Sequence, residues 1–117
     1  MKNFITIAIA FIVIFAGETR SYAGKSDLYI MFFTSKSCIH CKRMKPHWNS
    51  DQVKAEVKNY HNSMVYEIWY ENDPRGFFKS YNIDSLPTTM VVDKNGKVMR
   101  KAKGYLTEKA LDDFLDD

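Results

Sequence analysis

Residues 28–41 read Leu-Tyr-Ile-Met-Phe-Phe-Thr-Ser-Lys-Ser-Cys-Ile-His-Cys, and this stretch decides the fold of the chain. Its first six residues are apolar without interruption, which predicts a strand buried on both faces of a sheet. The polar residues 34–37 end that strand, and a helix is predicted to begin at about Cys38. A Cys-x-x-Cys motif therefore stands where a buried strand gives way to a helix.

Helices and strands alternate along the rest of the chain. Further strands are predicted at residues 64–70, 86–92 and 98–103, with a tight hairpin at Asn95-Gly96 between the last two. Helices are predicted after Cys38, after an N-cap at Ser50-Asp51, at about residues 75–81, and after an N-cap at Thr107. Helical crossovers require parallel strands and a hairpin requires antiparallel ones. The chain is therefore predicted to have an α/β fold with a mixed four-stranded sheet flanked by helices.

The composition of the chain limits its function. It has 117 residues, a formal charge of +3, 45% apolar residues and 15% aromatic residues. That content is enough for one packed domain, and Trp48, Trp69 and Tyr70 are expected in its core. A protein that binds nucleic acid through phosphate contacts is usually far more basic, so nucleic acid is not an expected partner.

The N-terminal residues have the pattern of an export signal. Lys2 precedes an uncharged apolar run over residues 4–16, which is short for a membrane span but typical of a signal peptide. The small residues of Ser21-Tyr22-Ala23 predict cleavage before Gly24. An uncleaved membrane anchor or a buried core helix is the alternative.

Cleavage there divides the chain into a signal peptide, residues 1–23, and one exported domain, residues 24–117. The expected location is the periplasm, an oxidising compartment in which a close pair of cysteines has redox chemistry available. A disulfide between Cys38 and Cys41 closes so short a loop that it adds little stability. Chemistry therefore explains the pair better than structural cross-linking does.

The positions of the two cysteines predict different roles for them. Cys38 begins the helix, where unpaired backbone N–H groups and the helix dipole favour an anion, so it is the expected low-pKa thiolate and nucleophile. Cys41, one turn further on, is the expected buried resolving thiol, which attacks a mixed disulfide on Cys38 and releases the partner. His40 is expected beside the Cys38 thiolate, where it would make the disulfide more oxidising; a solvent-facing His40 is the alternative.

Other interpretations of the cysteine pair stay open. A zinc site needs about four ligands, and His40, His47 and His61 do not have the spacing of a zinc motif. A copper(I) site made by the two thiolates would make the protein a metal carrier, and a docking module without turnover is a further alternative. We favour a redox pair, with no metal and no other cofactor.

The chain resembles the thioredoxin superfamily over essentially all of residues 24–117. The resemblance includes the strand and helix around Cys38-Ile39-His40-Cys41, with a proline at Pro46, and later segments in matching order at residues 71–74, 81–88, 93–97 and 104–105. The leader, the hairpin and the Cys-Lys-Arg-Met run make the chain most similar to small periplasmic thioredoxin-related proteins of the SoxW-like type. A thioredoxin-like fold is therefore expected.

This resemblance implies thiol-disulfide oxidoreductase activity on the thiols and disulfides of protein partners. It implies that Pro87 is cis and packs against the redox pair, and that the backbone of Leu86 binds an incoming peptide. A membrane electron donor or acceptor is a further candidate partner, and the chain is expected to act as a monomer. A His before the second Cys also occurs in DsbA-like oxidases and disulfide isomerases, so the direction of the reaction stays open.

Three departures from the family pattern affect the predicted site. Ser37 stands where thioredoxins have Trp, which makes the surface beside the nucleophile more polar. Phe32 replaces the buried carboxylate that accepts the proton of the resolving thiol. Glu67, on the second strand, is a candidate replacement across the sheet, although a solvent-facing Glu67 is the favoured interpretation. Too few residues of the exported domain precede Cys38 for the leading strand and helix of full thioredoxins, so a minimal core is predicted.

Overall fold

The computed structural model describes residues 24–117, and the predicted signal peptide with its cleavage site lies outside the described residues. Short 3-10 turns occur at Gly24–Asp27, Lys45–Asn49 and His61–Ser63. The helices and strands are β1 (Tyr29–Thr34), α1 (Ile39–Met44), α2 (Asp51–Val57), β2 (Val65–Trp69), α3 (Phe77–Ser80), β3 (Thr88–Val92), β4 (Val98–Lys103) and α4 (Glu108–Asp116).

The strands form one four-stranded sheet in the order β2-β1-β3-β4. β1 pairs with β2 in parallel and with β3 antiparallel, and β3 pairs antiparallel with β4. The α1 and α2 crossover joins the parallel strands, and the hairpin joins the last two, as a mixed sheet requires. The predicted thioredoxin-like architecture is confirmed, with the strand that leads to the cysteines at the centre of the sheet.

Alternate residues of β1 supply the two halves of the core, because neighbouring side chains of a strand point to opposite faces. Ile30 and Phe32 belong to one cluster of buried side chains, which includes residues of α1, α2 and α4. Met31 and Phe33 belong to a second cluster, against which residues of α3 pack. The apolar run therefore forms a strand buried on both faces, as predicted.

Two helices begin at the N-caps predicted from the sequence. The Ser50 hydroxyl accepts a hydrogen bond from the Val53 N–H at 3.2 Å, and the Thr107 hydroxyl accepts one from the Ala110 N–H at 3.1 Å. Such bonds satisfy backbone donors that have no partner within the helix. Both helices then bury their apolar residues against the sheet.

α3 is shorter than the helix predicted at residues 75–81. The backbone has a φ of 68° at Gly76 and 56° at Asn82, and this left-handed conformation ends a right-handed helix on each side. The Asp73 carboxylate accepts hydrogen bonds from the Phe77 and Phe78 N–H groups at 3.0 and 2.8 Å. The helix start is therefore set by a side chain from the preceding turn.

The expectation that Tyr70 belongs to the core is wrong. Its side chain is 66% exposed, whereas Trp48 and Trp69 are partly buried. β2 ends at Trp69 on the edge of the sheet, so Tyr70 already stands in the turn that follows. Its ring makes an edge-on contact with the Phe78 ring, at 5.5 Å between centroids.

Within the described residues, the turn Gly24–Asp27 is the element that precedes β1, and the minimal core stays a prediction. No helix between residues 24 and 117 has the length and apolar character needed to cross a membrane.

Candidate active site

Cys38 and Cys41 form a disulfide at the start of α1. Cys38 is the N-cap of the helix, and its sulfur accepts a hydrogen bond from the Cys41 N–H at 3.1 Å. Cys38 is partly exposed, whereas Cys41 is only 1% exposed and belongs to the core. The two sulfurs therefore differ in access: a partner molecule can reach Cys38 but not Cys41.

Local hydrogen bonds place the pair beyond the end of β1. The Cys38 N–H donates to the Ser35 carbonyl, and the Cys38 carbonyl accepts from the Lys42 N–H, both at 3.2 Å. Met44, fully buried at the end of α1, anchors the helix on the sheet. The buried strand and the buried helix residue together fix the loop that carries the pair.

Pro87 lies at the same end of the sheet as the cysteines. The Leu86–Pro87 peptide bond is cis, as the resemblance implies. The next residue, Thr88, pairs with Phe33 near the end of β1, and the Pro87 carbonyl accepts from the Gly104 N–H at 2.7 Å. Among residues 24–117, the backbone N–H and carbonyl of Leu86 have no hydrogen-bond partner. They are free to pair with an extended peptide.

The core side of the redox pair is lined by apolar side chains. Phe32, fully buried, packs edge-on against Trp48 with ring centroids 5.5 Å apart.

Glu67 is in register with Phe32 on the neighbouring strand but is exposed at the sheet edge. Its carboxylate lies 3.5 Å from Lys45 Nζ, and no hydrogen bond within the described residues joins it to either sulfur. This is the solvent-facing position that the sequence favoured for Glu67.

His40 is exposed and contacts Arg43 in the disulfide form. Its Nδ1 lies 3.4 Å from Arg43 Nη1, and in the described part of the chain it makes no hydrogen bond to either sulfur. The Arg43 guanidinium lies over the Tyr105 ring at 4.8 Å, and the Tyr105 hydroxyl lies 2.7 Å from His47 Nε2. The predicted contact of His40 with a Cys38 thiolate is therefore not made in this oxidised form.

Sequence reasoning missed the carboxylate that holds the loop before Cys38. Glu71 Oε2 accepts a 2.6 Å hydrogen bond from the Ser35 hydroxyl. This bond, followed by one from the Lys36 N–H, lowers the pKa of Glu71 below its ordinary value. Parallel neighbouring strands end at the same edge of a sheet, so the position of Glu71 just after the second strand was a signal that pointed to this contact.

Exposed apolar side chains flank the pair as well. Ile39, between the cysteines, is 62% exposed, and the Tyr70 N–H donates to the Thr34 carbonyl at 2.9 Å, which places Tyr70 beside the loop. No group of three or more His, Cys, Asp or Glu side chains in residues 24–117 is arranged to hold a metal ion. The site as described consists of a redox pair, a free backbone segment and apolar side chains.

Comparison with known proteins gives consistent matches. A family model described as a thioredoxin-like domain matches residues 15–117. The thiol-disulfide oxidoreductases ResA of Bacillus thuringiensis and Bacillus cereus are 25% identical over 116 residues, which cover 84% of this chain. The chain spans only 66% of the length of these relatives.

Solved structures share the fold. A thioredoxin-fold protein from Helicobacter pylori has a TM-score of 0.65 at 16% identity, over 80% of this chain and 69% of that one. Oxidised mitochondrial thioredoxin 3 from Saccharomyces cerevisiae has a TM-score of 0.63 at 20% identity, over 80% and 81% of the two chains. Since the family model covers most of its length, the chain belongs to the thioredoxin-like domain family.

Proposed function

We propose that this protein exchanges disulfides with protein partners, with Cys38 as the attacking thiolate and Cys41 as the resolving thiol. The observation that carries the proposal is the difference in exposure within the pair, because only the partly exposed Cys38 is accessible to a partner. The Cys41 N–H, 3.1 Å from the Cys38 sulfur, is in place to stabilise a thiolate there. The ResA relatives are thiol-disulfide oxidoreductases by name.

The reduced pair would reduce a partner disulfide in two steps. The Cys38 thiolate attacks one sulfur of that disulfide; a mixed disulfide forms, and the second partner sulfur leaves as a thiolate. Cys41 then loses its proton to water or to Glu67, attacks the Cys38 sulfur and releases the remaining partner thiolate. Two electrons pass from the pair to the partner. The reverse sequence oxidises a partner dithiol, and one measured reduction potential decides the direction at a given redox poise.

Partner binding is assigned to the free backbone of Leu86, next to cis-Pro87, and to the exposed side chains of Ile39 and Tyr70. Unpaired N–H and carbonyl groups bind an extended peptide in the manner of an added strand. Nearby apolar side chains accept apolar residues of the same peptide. In the reduced protein, His40 would turn from Arg43 toward the Cys38 thiolate.

The compartment follows from the sequence pattern of residues 1–23. We propose that this leader is cleaved before Gly24, and that residues 24–117 act as a single monomeric domain in the periplasm. An exported pair needs a source or acceptor of electrons, and we assign this role to a membrane protein. A closer kinship with SoxW-like proteins stays a prediction.

A trapping experiment tests the exchange mechanism. Cys41→Ser should accumulate mixed disulfides with periplasmic proteins, because Cys38 attacks but nothing resolves the product. Cys38→Ser is the matched control and should trap none, since the remaining thiol is buried. Reducible adducts are counted on non-reducing gels; their absence from both variants would argue against exchange. In that case a copper(I) titration of the reduced protein tests the carrier alternative.

A further inference from the structure

Residues 35–37, the loop between β1 and Cys38, are held by a single carboxylate. Ser35 is only 5% exposed, and its hydroxyl donates a 2.6 Å hydrogen bond to Glu71 Oε2. The Lys36 N–H lies 3.2 Å from both carboxylate oxygens. Short bonds to an ionised acceptor are among the stronger hydrogen bonds in proteins. The Glu71 carboxylate thus accepts hydrogen bonds from two successive residues of the loop.

Ser35 in turn forms hydrogen bonds with the residues nearer the disulfide. A hydroxyl has one proton and two lone pairs. Since Ser35 donates its proton to Glu71, its oxygen accepts from Ser37, whose N–H and hydroxyl lie 3.3 and 3.2 Å away. The Cys38 N–H donates to the Ser35 carbonyl at 3.2 Å. Every residue from 36 to 38 is therefore bonded either to Glu71 or to Ser35.

Glu71 is itself held in place by the backbone on both sides. The Tyr70 N–H donates to the Thr34 carbonyl at 2.9 Å, and the Asn72 N–H donates to the Trp69 carbonyl at 3.0 Å. These bonds continue the pairing of β1 with β2 and close the turn after β2. The carboxylate is therefore attached to the rigid part of the sheet rather than to a free loop.

Packing alone does not order this loop, because Lys36 and Ser37 are exposed. An exposed residue that is held by no contact keeps its backbone entropy and samples several conformations. The nucleophile stands directly after these two residues. Hydrogen bonds to Glu71 and Ser35 thus act together with the helix bonds of Cys38 to determine where Cys38 lies.

We propose that Glu71 is a positioning residue for Cys38. Through Ser35 and the Lys36 N–H, it holds the loop so that the Cys38 sulfur stays beside the Cys41 N–H and open to a partner. The inference rests on the proposed function, because it takes Cys38 as the attacking group. Glu71 acts through the loop and takes no part in the bond-making steps.

The test measures how fast Cys38 reacts in the reduced Cys41→Ser protein, where it is the only thiol. Iodoacetamide is the probe: the thiolate displaces iodide, and the rate constant at pH 7 reports the reactivity of Cys38. Glu71→Ala and Ser35→Ala should each lower that rate constant by about threefold to tenfold, because a displaced Cys38 sulfur loses the backbone N–H of residue 41 that stabilises its thiolate, an interaction worth about one hydrogen bond. The double variant should be slowed by less than the product of the two single effects, because the two residues share one hydrogen bond.

Two further variants separate positioning from a simple effect of charge. If Glu71 acted only as a nearby negative charge, Glu71→Ala would speed alkylation and Ser35→Ala would leave it unchanged; that outcome overturns the proposal. Glu71→Gln keeps an oxygen that accepts from Ser35 and should recover part of the rate. Glu108→Ala removes an exposed carboxylate from α4 and should leave the rate unaltered.

The alkylation rates can be interpreted whether or not the trapping experiment finds partners of the protein. Alkylation requires no disulfide exchange, so a failure of the trapping experiment leaves the measurement on Glu71 intact. If the protein exchanges disulfides but iodoacetamide alkylates the Glu71→Ala and Ser35→Ala variants as fast as the parent Cys41→Ser protein, the positioning role is wrong and the proposed function stands. Far-ultraviolet circular dichroism before each assay checks that the variants are folded, and Glu71→Gln provides the comparison if Glu71→Ala is not.

Discussion

Arg100 on β4 ties the sheet to the C-terminus of α4. Its Nη2 donates to the Tyr60 hydroxyl at 2.6 Å, and its Nε donates to the Phe114 carbonyl at 3.1 Å. The Tyr60 hydroxyl in turn donates to the Leu115 carbonyl. The last carbonyls of a helix lack intrahelical donors, so these bonds pair groups that would otherwise be unsatisfied. Arg100→Met removes both guanidinium bonds and keeps an aliphatic side chain.

The expected loss of stability follows from the number and kind of bonds. A hydrogen bond from a charged donor contributes about 1.5–3 kcal/mol, and partial exposure of Arg100 reduces this, so we expect a loss of about 2 kcal/mol for the pair. In a domain of this size, that is a decrease in Tm of roughly 8–16 °C. Tyr60→Phe should cost about 1 kcal/mol, since Lys25 Nζ also donates to the Leu115 carbonyl at 2.9 Å.

Urea unfolding of the oxidised protein, followed by circular dichroism, measures these losses. Because Arg100 and Tyr60 share a bond, the double variant should lose less than the sum of the two single variants. Lys101→Met is the matched control: it lies next to Arg100 on β4, is exposed, and should change the free energy of unfolding by no more than about 0.5 kcal/mol. An Arg100→Met protein as stable as this control, or strict additivity in the double variant, would refute the reasoning.

Three further predictions concern titration and redox chemistry. Burial and the neighbouring Asp116 carboxylate raise the pKa of Glu56. The folded protein therefore loses stability as the pH rises through that pKa. Glu56→Gln should be more stable against urea than the unmodified protein at pH 7, but not below the unfolded pKa of 4.5. The same difference in stability between the two proteins at both pH values would contradict this. His40→Pro should make the couple more reducing in equilibrium with glutathione, where about 30 mV corresponds to roughly 1.4 kcal/mol; an unchanged equilibrium would mean that His40 does not touch the thiolate. Glu67→Gln should leave the rate of resolution of a Cys38 mixed disulfide unchanged, because Glu67 is exposed and paired with Lys45; a slower step would contradict this and assign the Cys41 proton to Glu67.

Much of the fold could be predicted because its signals are local. The apolar run before Cys38 predicted a strand buried on both faces, and the structure places it at the centre of the sheet. Ser50 and Thr107 predicted helix starts because a cap bonds to a residue three positions away. The predicted bounds of α3 were wrong. The observed bounds depend on the left-handed conformations of Gly76 and Asn82 rather than on apolar periodicity.

Side-chain contacts that join distant parts of the chain were harder to predict. Ser35 and Glu71 are 36 positions apart, and Tyr60 and Arg100 are 40 apart. Which residues meet over such separations depends on the strand register and on where each strand ends. The exposure of Tyr70 has the same cause, since β2 is an edge strand and ends one residue before it.

By itself, the sequence determined the position of a Cys-x-x-Cys motif after a buried strand, the order of the helices and strands, and the presence of a proline before the third strand. The expected burial of Cys41 also came from the sequence. Only the tertiary structure decided that Tyr70 is exposed, that Glu67 pairs with Lys45, and that Glu71 holds the loop. The physical reason is that apolar periodicity and capping act over a few residues. Burial and side-chain hydrogen bonds arise only when the sheet brings remote segments together.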